Sequence, residues 1–509
     1  MSLPATGAAQ PALLAASAIY LVLVAALAWF SWRRTRTAAD FFVAGRRLGV
    51  WVTALATMAS AFSGFLFLGG PGLTYRLGTA SFLIVIPIGL TGGLLAWTVA
   101  KRLRLLAEVR EIYTVPDAVA ARYSSPRAGG LAAVAVALGT VAYLAAQLLA
   151  LGILIETLFD LETRVGSSSL AVGIAVGWLV VMSYSVAGGM VAGVFTDVFQ
   201  GALMMLAALG VFYFAWQATG GPSSAMEAIL TSDDFGAAFL DPLGGRAPAL
   251  LGLSFFFVFA VGVLGQPQTL HKFLMLEDPR RLRLLPAALG ISQALVVLLW
   301  LGVGLAVPAL VAQGSLPPVE RPDQVTPIFL LGFTPPWLAG WVFAGVVAAV
   351  MSTADSFVNI ASAALVRDLP KAFGRSLGDQ LKRGRLASFV VSALAALVAY
   401  GYGDLIALLG TFAYGIFAAA LVPCLALGLS WRRAGADAAI ASMATGLVCA
   451  LGFEIWAKQT WFELPSSPLA PGVLPALPAM AASFTVFLLV AWLRPADRPA
   501  ADVEAVMEL

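Results

Sequence analysis

The chain has 509 residues; 60% are hydrophobic, only 11% are charged, and the mean hydropathy is +0.91. Soluble domains carry about 25% charged residues, so these charges are too few to clothe a water-soluble core of this size. Apolar blocks of about 20 residues are long enough to cross a bilayer as helices, and the expected fold class is an all-α integral membrane protein. The formal net charge is +3, and its distribution tells more than its size. The single histidine, His271, excludes a His-cluster metal site, and Cys424 and Cys449 fall inside apolar blocks as small core residues. No nucleophile–base set or metal motif points to an enzyme.

In chain order, thirteen spans are expected, at roughly 12–32, 49–75, 80–101, 128–158, 166–184, 191–217, 248–266, 284–313, 337–366, 386–402, 405–428, 437–457 and 471–493. The opening segment, MSLPATGAAQ, has no basic region and no obvious cleavage site, so the first block reads as a retained helix. An odd number of crossings puts the termini on opposite sides. With the N-terminus outside, the cytoplasmic connections hold every Lys and Arg except Arg76, Arg164, Arg246, Arg321 and Lys458, as the positive-inside rule requires. The C-terminus and a short tail, 494–509, are then cytoplasmic, in a cell (inner or plasma) membrane. Topology explains the basic loops, so no nucleic-acid partner is expected. The lipid bilayer is the partner the composition requires, and no obligatory protein partner is evident. Of the outer connections, 218–247 is acidic and 314–336 is proline-rich; both read as solvated loops.

Two spans are interrupted. The second contains ASAFSGFLFLGGPG, from Ala59 to Gly72, and the seventh contains AVGVLGQPQ, with Gly262, Gly265 and Pro267. Glycine weakens a helix, and proline removes a backbone donor and clashes with the preceding turn. Two breaks five spans apart fit a pair of five-helix repeats related by inversion, each opening with a broken helix. Unwound backbone at membrane depth must be buried in protein or line a cavity. Its freed carbonyls suit a cation, and half-helix N-termini suit a substrate anion.

Two acids lie well inside spans: Asp197 in GVFTDVFQGALMM and Asp355 in AAVMSTADSFVNIASAA. A carboxylate in a bilayer costs about 2.5–3.5 kcal/mol on insertion scales and marks a functional site by default. No Lys or Arg stands at matching depth in these spans, so each acid is expected to bind a cation or to stay protonated. Ser352, Asp355, Ser356 and Asn359 share one helical stripe, flanked by Thr353. Oxygen donors without soft ligands, and with few formal charges, suit a monovalent alkali cation. The plainer alternative is that the hydroxyls bond back to their own helix and cement packing.

The stretches WVTALATMASAFSGFLFLGGPG, YTVPDAVAARY, YSVAGGMVAGVFTDVFQG, LGQPQTLHKFL and AAVMSTADSF occur in the order found in the sodium:solute symporters. Over roughly residues 15–430 the chain resembles that family, and within it the proline- and pantothenate-permease branch. The resemblance implies a LeuT-type fold in one transporter domain (1–509): an extra N-terminal helix (12–32), a first five-helix repeat (49–217), a second, inverted repeat (248–428) and two extra helices (437–493). It implies a sodium site made by the carbonyls of Ala59, Phe62 and Ala349 and the hydroxyls of Ser352 and Thr353. It places the family's sodium-release acid on Asp197, and a second sodium or release path on Asp197, Ser352, Asp355 and Ser356. There are departures. Proline permeases carry an aspartate where this chain has Ala61, and the family's substrate aromatics in the seventh span fall on Phe259 and Val263, so one is lost. Candidate substrate contacts are Ser60, Ser63, Gly64, Tyr143, Gln147, Phe259 and Gln266.

The function expected is sodium-coupled import of a small organic solute by alternating access, with Na+ as the coupling ion. The solute would be an amino acid, a pantothenate-like molecule or another small carboxylate or polar compound. One alternative is a proton-coupled symporter using Asp197 or Asp355. Another is a non-transporting membrane solute sensor, although the tail after 494 is too short to hold an output domain.

Overall fold

The computed structural model describes residues 6–32, 48–375, 378, 380–402, 405–460, 472–495 and 499–508. Arg33, Arg34, Arg36, Arg46, Arg47 and Arg498, which belong to the basic connections, lie outside the described residues. The helices used below are α1 (Thr6–Trp32), α2 (Val50–Ala61), α3 (Val115–Tyr123), α4 (Pro126–Leu158), α5 (Ser169–Thr219), α6 (Ala249–Gly262), α7 (Pro267–Leu274), α8 (Leu285–Ala312), α9 (Pro336–Ala363), α10 (Ile406–Val422) and α11 (Ala501–Glu508).

Among the described residues, ten helices are long and apolar enough to cross a bilayer, or eleven if the bent pair Val50–Ala61 and Phe65–Ile84, which meet at 58°, is one span. This is fewer than the thirteen spans expected, two of which were expected to be interrupted. The first expected span lies in α1. The third is divided into Gly78–Ile84, Ile88–Leu95 and Ala96–Ala100. Pro87 at the division lacks the amide donor that a continuous helix needs.

The fifth and sixth spans both fall within α5, whose 51 residues would measure about 77 Å if straight. Its two ends nevertheless lie at one end of the molecule. Ser169 donates to Glu156 at 2.6 Å, Arg321 pairs with Glu156 at 2.9 Å, and Gln313 donates to the Thr219 carbonyl at 3.1 Å. The element therefore reverses between Ser169 and Thr219, and its two apolar stretches, Leu161–Met182 and Thr196–Thr219, are two crossings.

The polar connections sort to two ends. At one, Arg104 donates to the carbonyls of Leu276 and Glu277, Arg122 to those of Gly428, Trp431 and Ala434, and Arg367 and Lys371 pair with Asp117 of α3. There too Arg110 and Arg432 clamp α11 through Asp502, Glu504 and Glu508. These are the segments expected together in the cytoplasm. The opposite end gathers Arg246, Gln313 and Arg321. The acidic connection there is more than a solvated loop. Pro222–Thr231 and Gly236–Leu240 are short helices that bury Ile229, Phe235 and Phe239, and the Arg246 guanidinium lies 4.8 Å and 5.4 Å from the two phenylalanine ring centres.

The centre is occupied by α4, α9 and α10. In each, 89% of the apolar window is buried, against 33% and 44% for the two stretches of α5. The hydroxyl stripe of α9 thus faces protein rather than lipid.

Candidate functional site

The site begins where α2 stops. The chain leaves the helix at Phe62 (φ −95°, ψ 118°), whose amide still bonds the Met58 carbonyl. It resumes through the wide turn Phe65–Gly69. Among the described residues no amide reaches the carbonyls of Ala59 or Phe62. Gly64 sits at the break because nothing larger fits: a Cβ there would lie 2.6 Å from Ala150 Cβ and 3.0 Å from Val350 Cγ2. Its amide donates to Gln147 Oε1 at 2.9 Å, so Gln147 of α4 satisfies the restart of the helix. The second break lies between α6 and α7, where Gln266 is extended (φ −73°, ψ 108°) and Pro267 opens the next half-helix. The two broken helices are clasped at their basic ends: the Leu48 amide donates to Met275 O at 3.2 Å and the Glu277 amide to Leu48 O at 3.0 Å.

Against the α2 break stands the polar stripe of α9. Thr353 Oγ1 donates to the Ser60 carbonyl at 3.3 Å, and the hydroxyls of Ser60 and Ser356 are 3.1 Å apart. Ser352 Oγ donates to Asp197 Oδ1 at 2.5 Å, and Ser60 Oγ to Asp197 Oδ2 at 3.4 Å. All of these side chains are buried. Ser352 and Thr353 both give away their protons, leaving oxygen lone pairs for an ion. Helix α9 runs unbroken past Ala349, so that carbonyl stays in its ladder and has only its second lone pair to offer. This donor set, hydroxyl and carbonyl oxygens beside one carboxylate, fits a monovalent cation such as sodium.

One expectation is overturned. Asp197 does have a basic partner: Lys272 Nζ lies 2.5 Å from Asp197 Oδ2, and the two side chains are 1% and 2% exposed. Ending the seventh span at Gln266 assigns Lys272 to a cytoplasmic connection. Instead Pro267 starts α7, whose buried residues include Lys272. Neither a bound solute cation nor a proton is therefore required to balance Asp197. Asp355 accepts from Asn359 Nδ2 at 3.2 Å, one turn along its own helix.

Beside the breaks is a cavity of about 80 Å³. Of the expected substrate contacts, Tyr143, Phe259 and Gln266 line it; Ser60, Ser63, Gly64 and Gln147 do not. Its aromatic wall stacks Tyr414 on Phe259 at 4.4 Å and Phe259 on Phe65 at 5.7 Å, with Trp300 edge-on to Phe65 at 5.9 Å. Trp300 is held there by its Nε1 donating to Thr74 Oγ1 at 2.8 Å. Ala61 and Val263, the two positions that depart from the family pattern, are both in the wall, and no lining residue is charged. Gln268 and Gln293 add amides, and Gln268 Oε1 is buried with no hydrogen-bond partner among the described residues. Gln268, Gln293, Trp300 and Tyr414 were missed by sequence reasoning. Only Gln268, next to the GQP break, carried a usable signal.

Comparison with known proteins identifies the family. The model of the sodium:solute symporter family matches residues 41–446. The sodium/proline symporter of Haemophilus influenzae is 29% identical over 87% of this chain and 88% of its own length. The sodium/pantothenate symporter of Escherichia coli is 27% identical over 90% and 93%. A solved substrate-bound, outward-open Na+-coupled sialic acid symporter shares the fold, with a TM-score of 0.75 at 18% identity over 96% of this chain and 99% of that one. The relatives are transporters, not enzymes. This chain belongs to the sodium:solute symporter family, as a multi-pass membrane protein.

Proposed function

We propose that the protein is a sodium-coupled symporter that imports a small polar organic solute by alternating access. The observation that carries this reading is the meeting of an interrupted helix and a hydroxyl stripe. The Ala59 and Phe62 carbonyls, without backbone donors, belong to the break against which the proton-donating hydroxyls of Ser352 and Thr353 are packed. Sodium held there by Ala59, Phe62, Ala349, Ser352 and Thr353 would fasten α2 to α9. Its loss to the cytoplasm would let them part. Asp197, with Ser356 bonded through Ser60, lies on the release side, and Asp355 lies further along α9. The N-terminus is outside and the C-terminus cytoplasmic, and the ten core helices form the two inverted repeats 49–217 and 248–428.

The solute occupies the cavity beside Tyr143, Phe259 and Gln266. A wall of aromatics and glutamines without a formal charge suits a molecule whose polar groups are hydrogen-bonded rather than ion-paired, with a donor turned toward Gln268 Oε1. A carboxylate on that molecule would rely on half-helix N-termini and the sodium itself. Ala61 and Val263 in the wall argue for a solute other than proline. The Lys272 ammonium balances Asp197 without a proton, which favours sodium over proton coupling. Uptake into proteoliposomes under an imposed sodium gradient tests the reading. The Ser352→Ala/Thr353→Ala double variant should lose sodium stimulation, and a double variant with undiminished sodium-driven uptake would refute it.

A further inference from the structure

Lys272 is not part of the sodium site as assigned above, yet among the described residues it and Asp197 are the most deeply buried charged residues, each 1% exposed. Its ammonium has Asp197 Oδ2 as its hydrogen-bond partner among the described residues, and both side chains are shut off from solvent. Asp197 draws its donors from three helices: Lys272 of α7, Ser60 of α2 and Ser352 of α9. The backbone clasp between Leu48 and Met275–Glu277 joins α2 to α7, so Ser60 and Lys272 are carried together, while Ser352 belongs to α9. Ser352 also links the carboxylate directly to the assigned sodium site. A cation bound at Ser352 Oγ and an ammonium on Asp197 are like charges that share one carboxylate in a medium with little screening, and one carboxylate neutralises one of them.

Resting on the sodium-symport reading, we propose that Lys272 is a tethered counter-cation. Its ammonium neutralises Asp197 when sodium is absent and gives it up when sodium arrives, so sodium and Lys272 compete for one carboxylate. The exchange is electrostatic: no covalent bond changes and no proton moves. It keeps the ion-free carrier neutral at its centre. It also lowers sodium affinity by the free energy needed to displace the ammonium, which promotes release into the cytoplasm. Lys272 is thus a positioning residue that tunes the coupling ion without binding it.

The competition predicts an unusual direction of effect. In Lys272→Met, which keeps length and apolar bulk but removes the competitor, half-saturating sodium for uptake should fall by about 5- to 100-fold. The maximal rate should fall with it as release slows. Lys272→Arg should keep wild-type values. In the Lys272→Met/Asp197→Asn double variant the gain in sodium affinity should vanish, because the contested carboxylate is gone. A merely structural ion pair predicts the opposite: weaker sodium binding in Lys272→Met. Half-saturating sodium that is unchanged or raised in a folded Lys272→Met protein overturns the proposal. Wild-type protein supplies a second measurement that needs no variant. Reductive methylation of Lys272, read by mass spectrometry, should be faster in saturating sodium than in its absence, and equal rates would overturn the proposal too. Sodium-independent uptake by the wild type would instead bring down the symport reading itself.

Discussion

Asp197 and Asp355 are both aspartates buried within the helix bundle, and they differ in the donors that reach them. Asp197 is a junction: it accepts from Lys272, Ser352 and Ser60, each on a different helix. Asp355 accepts from Asn359 on its own helix, a contact that survives any movement of α9 as a body. A carboxylate bonded across three helices senses their relative position. Such an acceptor is suited to couple an ion to a conformational change.

The largest expected effect is at the junction. Asp197→Asn leaves the Lys272 ammonium buried without a counter-charge, and breaking a buried pair costs about 3–5 kcal/mol. Its uptake should be nearly abolished and its thermal midpoint should fall. Asp355→Asn keeps the size of the side chain and should move half-saturating sodium by no more than about threefold. If the two variants were equally impaired in uptake and stability, the contrast between the two acids would collapse. Next in size is Gly64→Ala, whose added Cβ would press on Ala150 and Val350 beside the proposed sodium site. Overpacking of this kind costs about 1–3 kcal/mol, and sodium-driven uptake should drop more than the amount of folded protein recovered.

A third acid sharpens the comparison from outside the spans. Asp117 of α3 pairs with Arg367 at 2.5 Å and Lys371 at 2.9 Å. Burial alone would raise its pKa, but the Arg367 and Lys371 charges outweigh it and hold the carboxyl below its ordinary value. A depressed folded-state pKa adds stability above the unfolded value, near 3.9, and that stability is lost as pH falls through the folded value. The thermal midpoint should therefore drop on acidification below about pH 4, and Asp117→Asn should flatten that part of the profile. The smallest effect belongs to Asp502→Asn. Its partner Arg110 is on the surface and the pair is 43% and 37% exposed, where ion pairs contribute little. Uptake should be indistinguishable from wild type.

Much of the site is legible in the sequence. Gly and Pro marked both breaks, because backbone rules act locally. The α9 stripe was legible because helical period alone aligns Ser352, Ser356 and Asn359. Lys272 was misplaced for a specific reason. Hydropathy ends a span at its first polar run, and QPQTLHK is polar, but the helix after Pro267 turns that run inward against Asp197. Gln293, Trp300 and Tyr414 were illegible for another reason. Where every face of a helix is apolar, no periodicity says which face meets the cavity. Similarly, no strong stop signal predicted the division of 80–101 beyond Pro87, and the single helical element α5 hides a reversal that only its end contacts reveal.

Trp300 gives the cavity an optical reporter of its own. The indole is fully buried, pinned by Thr74 and set edge-on to Phe65 in the wall of the proposed solute cavity. Indole emission shifts with the polarity and packing around the ring. A solute that displaces water beside it should therefore change the intrinsic fluorescence of the unlabelled protein, with Trp300→Phe as the silent control. Candidate compounds can then be ranked by titration in the cuvette, with and without sodium, before any radiolabelled substrate is made.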